Sequence, residues 1–148
     1  MNRSDGYVKE GTYTKGIYRE FFPHHIDFAC LLNGTAGLPD RFNYCDLGCG
    51  FGLTTIVSAI LNPDSTFVGV DYDPEHVAYA SKLVDYLGLT NCQFECRAFG
   101  SLAEDLVGAH GSFDVVVSHG VLTWIDEPVR DLLLDDYNAL LKAGGIAC

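Results

Sequence analysis

Short β-branched and apolar runs alternate along this chain with stretches of helical spacing. Strands are predicted at 42–47, 66–71, 92–96 and 113–118, and a helix signal follows each one. Leu53, Ile56, Val57 and Ile60 fall at i, i+3, i+4 and i+7, giving one apolar stripe that stops at Asn62-Pro63. Asp73-Pro74 reads as a cap and first turn, after which Val77, Ala80, Val84 and Leu87 face inward until Gly88 ends the helix. Ser101-Leu102-Ala103-Glu104 is a capping box that opens a third helix. A fourth begins near Pro128, buries Val129, Leu132, Leu133, Leu140 and Leu141, and stops at Gly144-Gly145. Ile146-Ala147-Cys148 then opens a fifth strand. Strand and helix in strict alternation predict βαβ units and a parallel sheet.

Residues 1–40 precede this alternation and form a separate segment, Gly- and Tyr-rich at first (Gly6, Tyr7, Gly11, Tyr13, Gly16, Tyr18) and then helical from about 23 to 33. Pro23 suits a first turn and Gly34 a stop. Residues 41–148 make up the α/β core. With only the opening of a fifth strand, Val115-Val116-Val117 is expected at or near an open sheet edge, which invites pairing with a second copy.

Composition narrows the partners. Twenty acidic residues against nine Lys and Arg give a net charge of −11, which repels nucleic-acid phosphates and suits a cationic ligand. No apolar run approaches a membrane span or a signal core, so a soluble cytoplasmic protein is expected. Cys45/Cys49 and Cys92/Cys96 lack the two-residue spacing of a metal knuckle and read as structural thiols. His24, His25, His76 and His110 show no ligand spacing and are expected at surface or capping positions, so no metal is predicted.

Candidate chemistry starts at Asp46-Leu47-Gly48-Cys49-Gly50-Phe51-Gly52, between the first strand and its helix. Glycines at such a turn let a ligand approach the backbone, although a plain strand-to-helix turn has the same composition. Their G-x-G-x-G spacing departs from the dinucleotide fingerprint, whose last glycine is replaced here by Leu53. The second feature is Asp71, which ends the next strand, where a carboxylate accepts both hydroxyl hydrogens of a ribose. Because Asp73 serves as the helix cap, Asp71 is expected to be free for that task.

Strand, Asp-Leu-Gly-Cys-Gly-Phe-Gly, helix, then Val-Gly-Val-Asp resembles the first two motifs of class I S-adenosylmethionine-dependent methyltransferases. Tyr13-Thr14-Lys15-Gly16-Ile17-Tyr18-Arg19-Glu20 and Ser118-His119-Gly120-Val121-Leu122-Thr123-Trp124 resemble, more narrowly, a bacterial family with an additional C-terminal regulatory domain, no part of which matches here. The resemblance implies a Rossmann-like three-layer sandwich with a mostly parallel sheet of seven strands, cut here at the start of the fifth. It implies that Asp46 and the loop Gly48, Cys49, Gly50 and Gly52 hold the methionine end of S-adenosyl-L-methionine, and that Asp71 grips the ribose with Tyr72 beside it. The position that carries an adenine-reading acid in many relatives is Ala98 here. Phe99 either packs on the adenine or belongs to the core, and Ser101 or backbone groups supply the polar contact. Ser118, His119 and Trp124 come near the transferred methyl. His119 is either a base or a hydrogen-bonded pocket histidine, and Trp124 either walls the acceptor site or covers core. Tyr13 and Tyr18 either fold over the cofactor or pack the N-terminal helix. The implied activity is methyl transfer to a protein or small molecule. The alternatives are a non-catalytic or incomplete binding module and, with the wrong glycine spacing, an NAD-dependent oxidoreductase.

Overall fold

The computed structural model describes residues 3–4, 6–8, 15–100 and 102–148. Tyr13 and Ser101, both singled out above, lie outside them. A small antiparallel hairpin, β1 (Arg3–Ser4) and β2 (Tyr7–Val8), comes first, followed by a 3-10 turn at Arg19–Phe21 and helix α1 (Pro23–Leu32). The core then runs β3 (Asn43–Leu47), α2 (Leu53–Leu61), β4 (Thr66–Asp71), α3 (Pro74–Leu87), β5 (Cys92–Cys96), α4 (Leu102–His110), β6 (Phe113–Val117), α5 (Glu127–Leu140) and β7 (Leu141–Ala147).

The sheet order is β5-β4-β3-β6-β7 with every pairing parallel, and helices cover both faces. This is the Rossmann-like three-layer arrangement. Chain order reverses between β3 and β6, so the carboxyl ends of those strands border a crevice where ligands bind in open α/β sheets.

Sheets buried on both faces read as continuous apolar runs, and here alternate residues divide between two cores. Cys45, Leu47, Val68, Val70 and Val116 pack with Leu102, Leu106, Val129, Leu133 and Leu140 beneath α4 and α5. Tyr44, Phe67, Val115 and Val117 pack with Ile26, Ile56, Ala59 and Val84 beneath α1, α2 and α3.

Four expectations need correction. The buried face of α2 is Thr54, Thr55, Ile56, Ser58 and Ala59, while Ile60 is exposed, because small residues bring the helix close to the sheet. Leu87 and Leu132 are likewise exposed rather than buried. Helix α5 ends at Leu140, and Gly144-Gly145 lies within β7, where Leu141 and Ile146 pair with Phe113 and Val115 across an irregular stretch. In consequence β6 is paired on both sides: Val115 and Val116 pair with Ile146 and Ala147, and among the described residues the outer strands of the sheet are β5 and β7. Among the described residues no helix is long and apolar enough to cross a membrane.

Candidate functional site

Asp46 is the penultimate residue of β3, and its position in the sheet dictates its environment. The residue is 7% exposed, and the Thr55 hydroxyl in the first turns of α2 donates to its Oδ2 at 2.6 Å. Burial pushes the carboxyl up to about 6, the Thr55 hydrogen bond opposes that rise, and the nearby Asp71 charge adds to it.

The glycine loop then turns back under its own hydrogen bonds. Gly48 and Cys49 donate their N–H groups to Val70 O at 2.8 and 3.0 Å, and Gly52 donates to Cys49 O at 3.0 Å. Gly50 N–H donates to Asp71 Oδ2 at 2.7 Å. These four N–H groups are engaged within the protein, so the loop offers a ligand close approach and the first turn of α2, whose N–H groups lack intrahelical acceptors. Glycine is required at 52, where φ is +69° and an added Cβ would stand 2.4 Å from Phe94 Cε1. At Gly48 the neighbour is Val121, which seats the turn after β6 onto the loop. Cys49 turns its thiol inward, where a Cβ on Gly69 would stand 3.0 Å from its sulfur, and burial raises that thiol well above its usual range.

Asp71 is not the free carboxylate expected. Besides Gly50, Asp73 N–H donates to its Oδ1 at 2.9 Å, and His76 Nδ1 stands 3.2 Å from the same oxygen. Asp73 does cap α3, accepting from Glu75 N–H at 2.9 Å. His76 is thereby a partner of the site instead of a surface histidine, with Phe51 packed on its ring at 4.5 Å. His110 similarly stands 3.2 Å from Glu95 Oε1, away from the cleft.

The segment ahead of α1 crosses the loop. Lys15 Nζ lies 4.0 Å from the Tyr79 ring centre and 4.9 Å from that of Phe51, a cation–π contact with each. Tyr18 N–H donates to Thr54 Oγ1 at 3.0 Å, and Phe21 O accepts from the Tyr44 hydroxyl at 2.9 Å. Rings of Tyr18 and Phe21 then sit 4.0 and 4.9 Å from the His119 ring. A cleft forms among Tyr18, Phe21, Asp46, Gly48, Thr54 and His119. A buried carboxyl and several π faces suit a cationic group.

Outward from Asp71 the sheet presents a different surface. The Tyr7 ring stacks on Tyr72 at 4.2 Å and 4°, and Phe99 N–H donates to the Tyr7 hydroxyl at 2.9 Å. Phe99 is 8% exposed and belongs to the core. Its loop is pinned by Asp136 of α5, which accepts from Gly100 N–H at 2.7 Å and Leu102 N–H at 3.3 Å. Burial raises this carboxyl, and the two backbone donors offset part of the rise.

The structure therefore brings Asp46, Gly48, Cys49, Gly50, Gly52, Asp71 and His119 together, with Tyr72 and Phe99 to one side. It sets Ser118 apart, since its N–H donates to Cys148 O at 2.9 Å and its side chain meets Tyr137. Trp124 is 46% exposed and covers no core. All six thiols are free, with Cys96 and Cys148 exposed rather than structural. Thr55, His76, Lys15 and Asp136 were missed by sequence reasoning. Of these, Asp136 alone carried a signal, an acid on the buried stripe between Leu133 and Leu140.

A family described as a methyltransferase domain matches residues 39–148. An uncharacterized protein of Synechocystis sp. is 32% identical over 149 residues, covering 99% of this chain and 29% of that protein. Ribosomal RNA small subunit methyltransferase G of Porphyromonas gingivalis is 33% identical, with 89% of this chain and 56% of that protein covered. The structure of PKMT2 from Rickettsia typhi in complex with AdoHcy superimposes with a TM-score of 0.83 at 27% identity, over 92% of this chain and 26% of that one. The chain thus spans under a third of the length of the Synechocystis and Rickettsia relatives.

Proposed function

Because this chain belongs to the class I methyltransferases, we propose that it binds S-adenosylmethionine across the carboxyl ends of β3, β4 and β5 and transfers the methyl group to an acceptor arriving past His119. The observation that carries this reading is the pairing of two strand-end acids, Asp46 and Asp71, around one glycine loop, with Gly50 N–H 2.7 Å from Asp71. Likeness to a neighbour solved with AdoHcy supports the choice of cofactor.

S-adenosylmethionine supplies an electrophilic methyl on a sulfonium. Asp46 stands where a cationic methionine end gains from a buried carboxylate, and that charge favours the ionised carboxyl in return. A carboxylate has about four acceptor sites, so Asp71 accepts from ribose hydroxyls beside its contacts with Gly50, Asp73 and His76, or in place of one of them. The N-terminal segment caps the cofactor through its Lys15 to Phe21 strap, which excludes water over the reacting centre. Alignment of donor and acceptor provides much of the rate in such a displacement. His119, set against the Tyr18 and Phe21 rings in the cleft, or solvent would take any proton the acceptor loses.

The acceptor proposed is a protein or small molecule, since a charge of −11 disfavours nucleic-acid phosphates. Incubation with a tritiated methyl donor and fractionated cell extract tests this, using Asp71→Ala as the control. Label in protein or small-molecule fractions that the variant abolishes is the expected result. Label confined to RNA, or equal labelling by the variant, would refute it.

A further inference from the structure

The purine side of the proposed site is already filled by the protein itself. Asp71 pairs with Cys96, so the segments leaving β4 and β5, Tyr72 and Ala98-Phe99, stand side by side beyond the ribose position. A purine stretching outward from Asp71 needs a π face to stack on and an N–H donor for a ring nitrogen. Tyr72 offers the face and Phe99 N–H the donor. Tyr7 engages both, stacked at 4.2 Å and accepting from Phe99 N–H at 2.9 Å, which leaves no room for a second ring between them.

The hairpin that carries Tyr7 is seated by specific contacts. Asp126 N–H donates to Gly6 O at 3.0 Å, and Tyr7 bridges to Ile125. Gly6 has φ +85°, and an added Cβ would meet Val129 Cγ2 at 2.5 Å, so the hairpin rests on α5 only because residue 6 is glycine.

We propose that Tyr7 is an internal occupant of the purine subsite, and that binding of the adenine moiety requires the β1–β2 hairpin to leave. This rests on the cofactor placement above. The hairpin competes with ligand by mass action, so any change that unseats it raises apparent affinity.

The test is calorimetric titration of S-adenosylhomocysteine into the wild-type chain, Tyr7→Ala and Gly6→Ala, with backbone hydrogen exchange at Asp126 measured alongside. Tyr7→Ala is expected to tighten binding on the order of tenfold, equivalent to about 1.4 kcal/mol. Gly6→Ala, which keeps the ring but unseats it, tightens binding in the same direction. In the wild-type chain, ligand speeds exchange at Asp126 as its bond to Gly6 opens. Weaker or unchanged binding by Tyr7→Ala, or exchange slowed by ligand in the wild type, would show that Tyr7 is a wall of the site and overturn the proposal. Failure of all three chains to bind would refute the cofactor site itself, and the proposal with it.

Discussion

Replacing Thr55 with Val removes the hydroxyl that donates to Asp46 at 2.6 Å while keeping the side chain's shape. Thr55 is fully buried and Asp46 nearly so, which shields the bond from solvent. A hydrogen bond to a charged group contributes about 1.5–3 kcal/mol, against roughly 1 kcal/mol between neutral partners. Burial already holds the Asp46 carboxyl at about 6, above its unfolded value, so the native state binds extra protons as pH falls. Wild-type stability linked to this group is thus highest below about pH 4 and declines as pH rises through 6. In Thr55→Val the carboxylate loses its donor, and the decline extends roughly one to two pH units higher. The variant's deficit is expected to be about 1 kcal/mol at pH 5 and about 2–3 kcal/mol at pH 8. Urea unfolding of both chains at the two pH values, with equal m-values, measures it, and other titrating groups cancel in the difference. An equal deficit at both pH values, or a larger one at pH 5, would refute the assignment of this bond to an ionised Asp46.

Gly52→Ala places a Cβ 2.4 Å from Phe94 on a backbone with φ +69°, so a loss of about 2 kcal/mol or more in denaturant unfolding is expected. Asp136→Ala strips the acceptor from the part-buried Gly100 contact and the buried Leu102 contact, and a loss of about 2–3 kcal/mol is expected by the same measurement. Exchange at those two amides is also expected to speed up well before global unfolding. Lys15→Met removes the cation over Tyr79 and Phe51, and thermal melts should show a change of no more than about 1 kcal/mol.

The elements were legible because each obeys a local rule: Asp73 and Gly88 bracket α3 as cap and stop, and the runs at β3, β4, β5 and β6 are bounded by turn chemistry. Failures occurred where tertiary contacts override a local pattern. The stripe Leu53, Ile56, Val57, Ile60 pointed to one face of α2, and Ile56 is buried as expected, yet the need to approach the sheet and reach Asp46 turned Thr55, Ser58 and Ala59 inward and left Ile60 exposed. Gly144-Gly145 suggested a helix stop, but pairing with β6 drew the chain from Leu141 onward into the sheet. In the site, Asp46, the glycines and Asp71 were legible from spacing alone. Contacts across long sequence separations were not: Tyr7 with Phe99, Tyr18 with His119 and Asp136 with Gly100 follow from topology, which no spacing encodes.

The central claim is that the acids ending β3 and β4 and the loop between them hold S-adenosylmethionine. Calorimetric titration of S-adenosylhomocysteine into the wild-type chain and Asp71→Ala tests it most directly, with NAD as the competing ligand and melting curves to confirm that the variant is folded. Loss of bonds from ribose hydroxyls to a charged group is expected to weaken S-adenosylhomocysteine by about tenfold or more, with no binding of NAD. Unchanged affinity in a folded Asp71→Ala chain, or a preference for NAD, would contradict it.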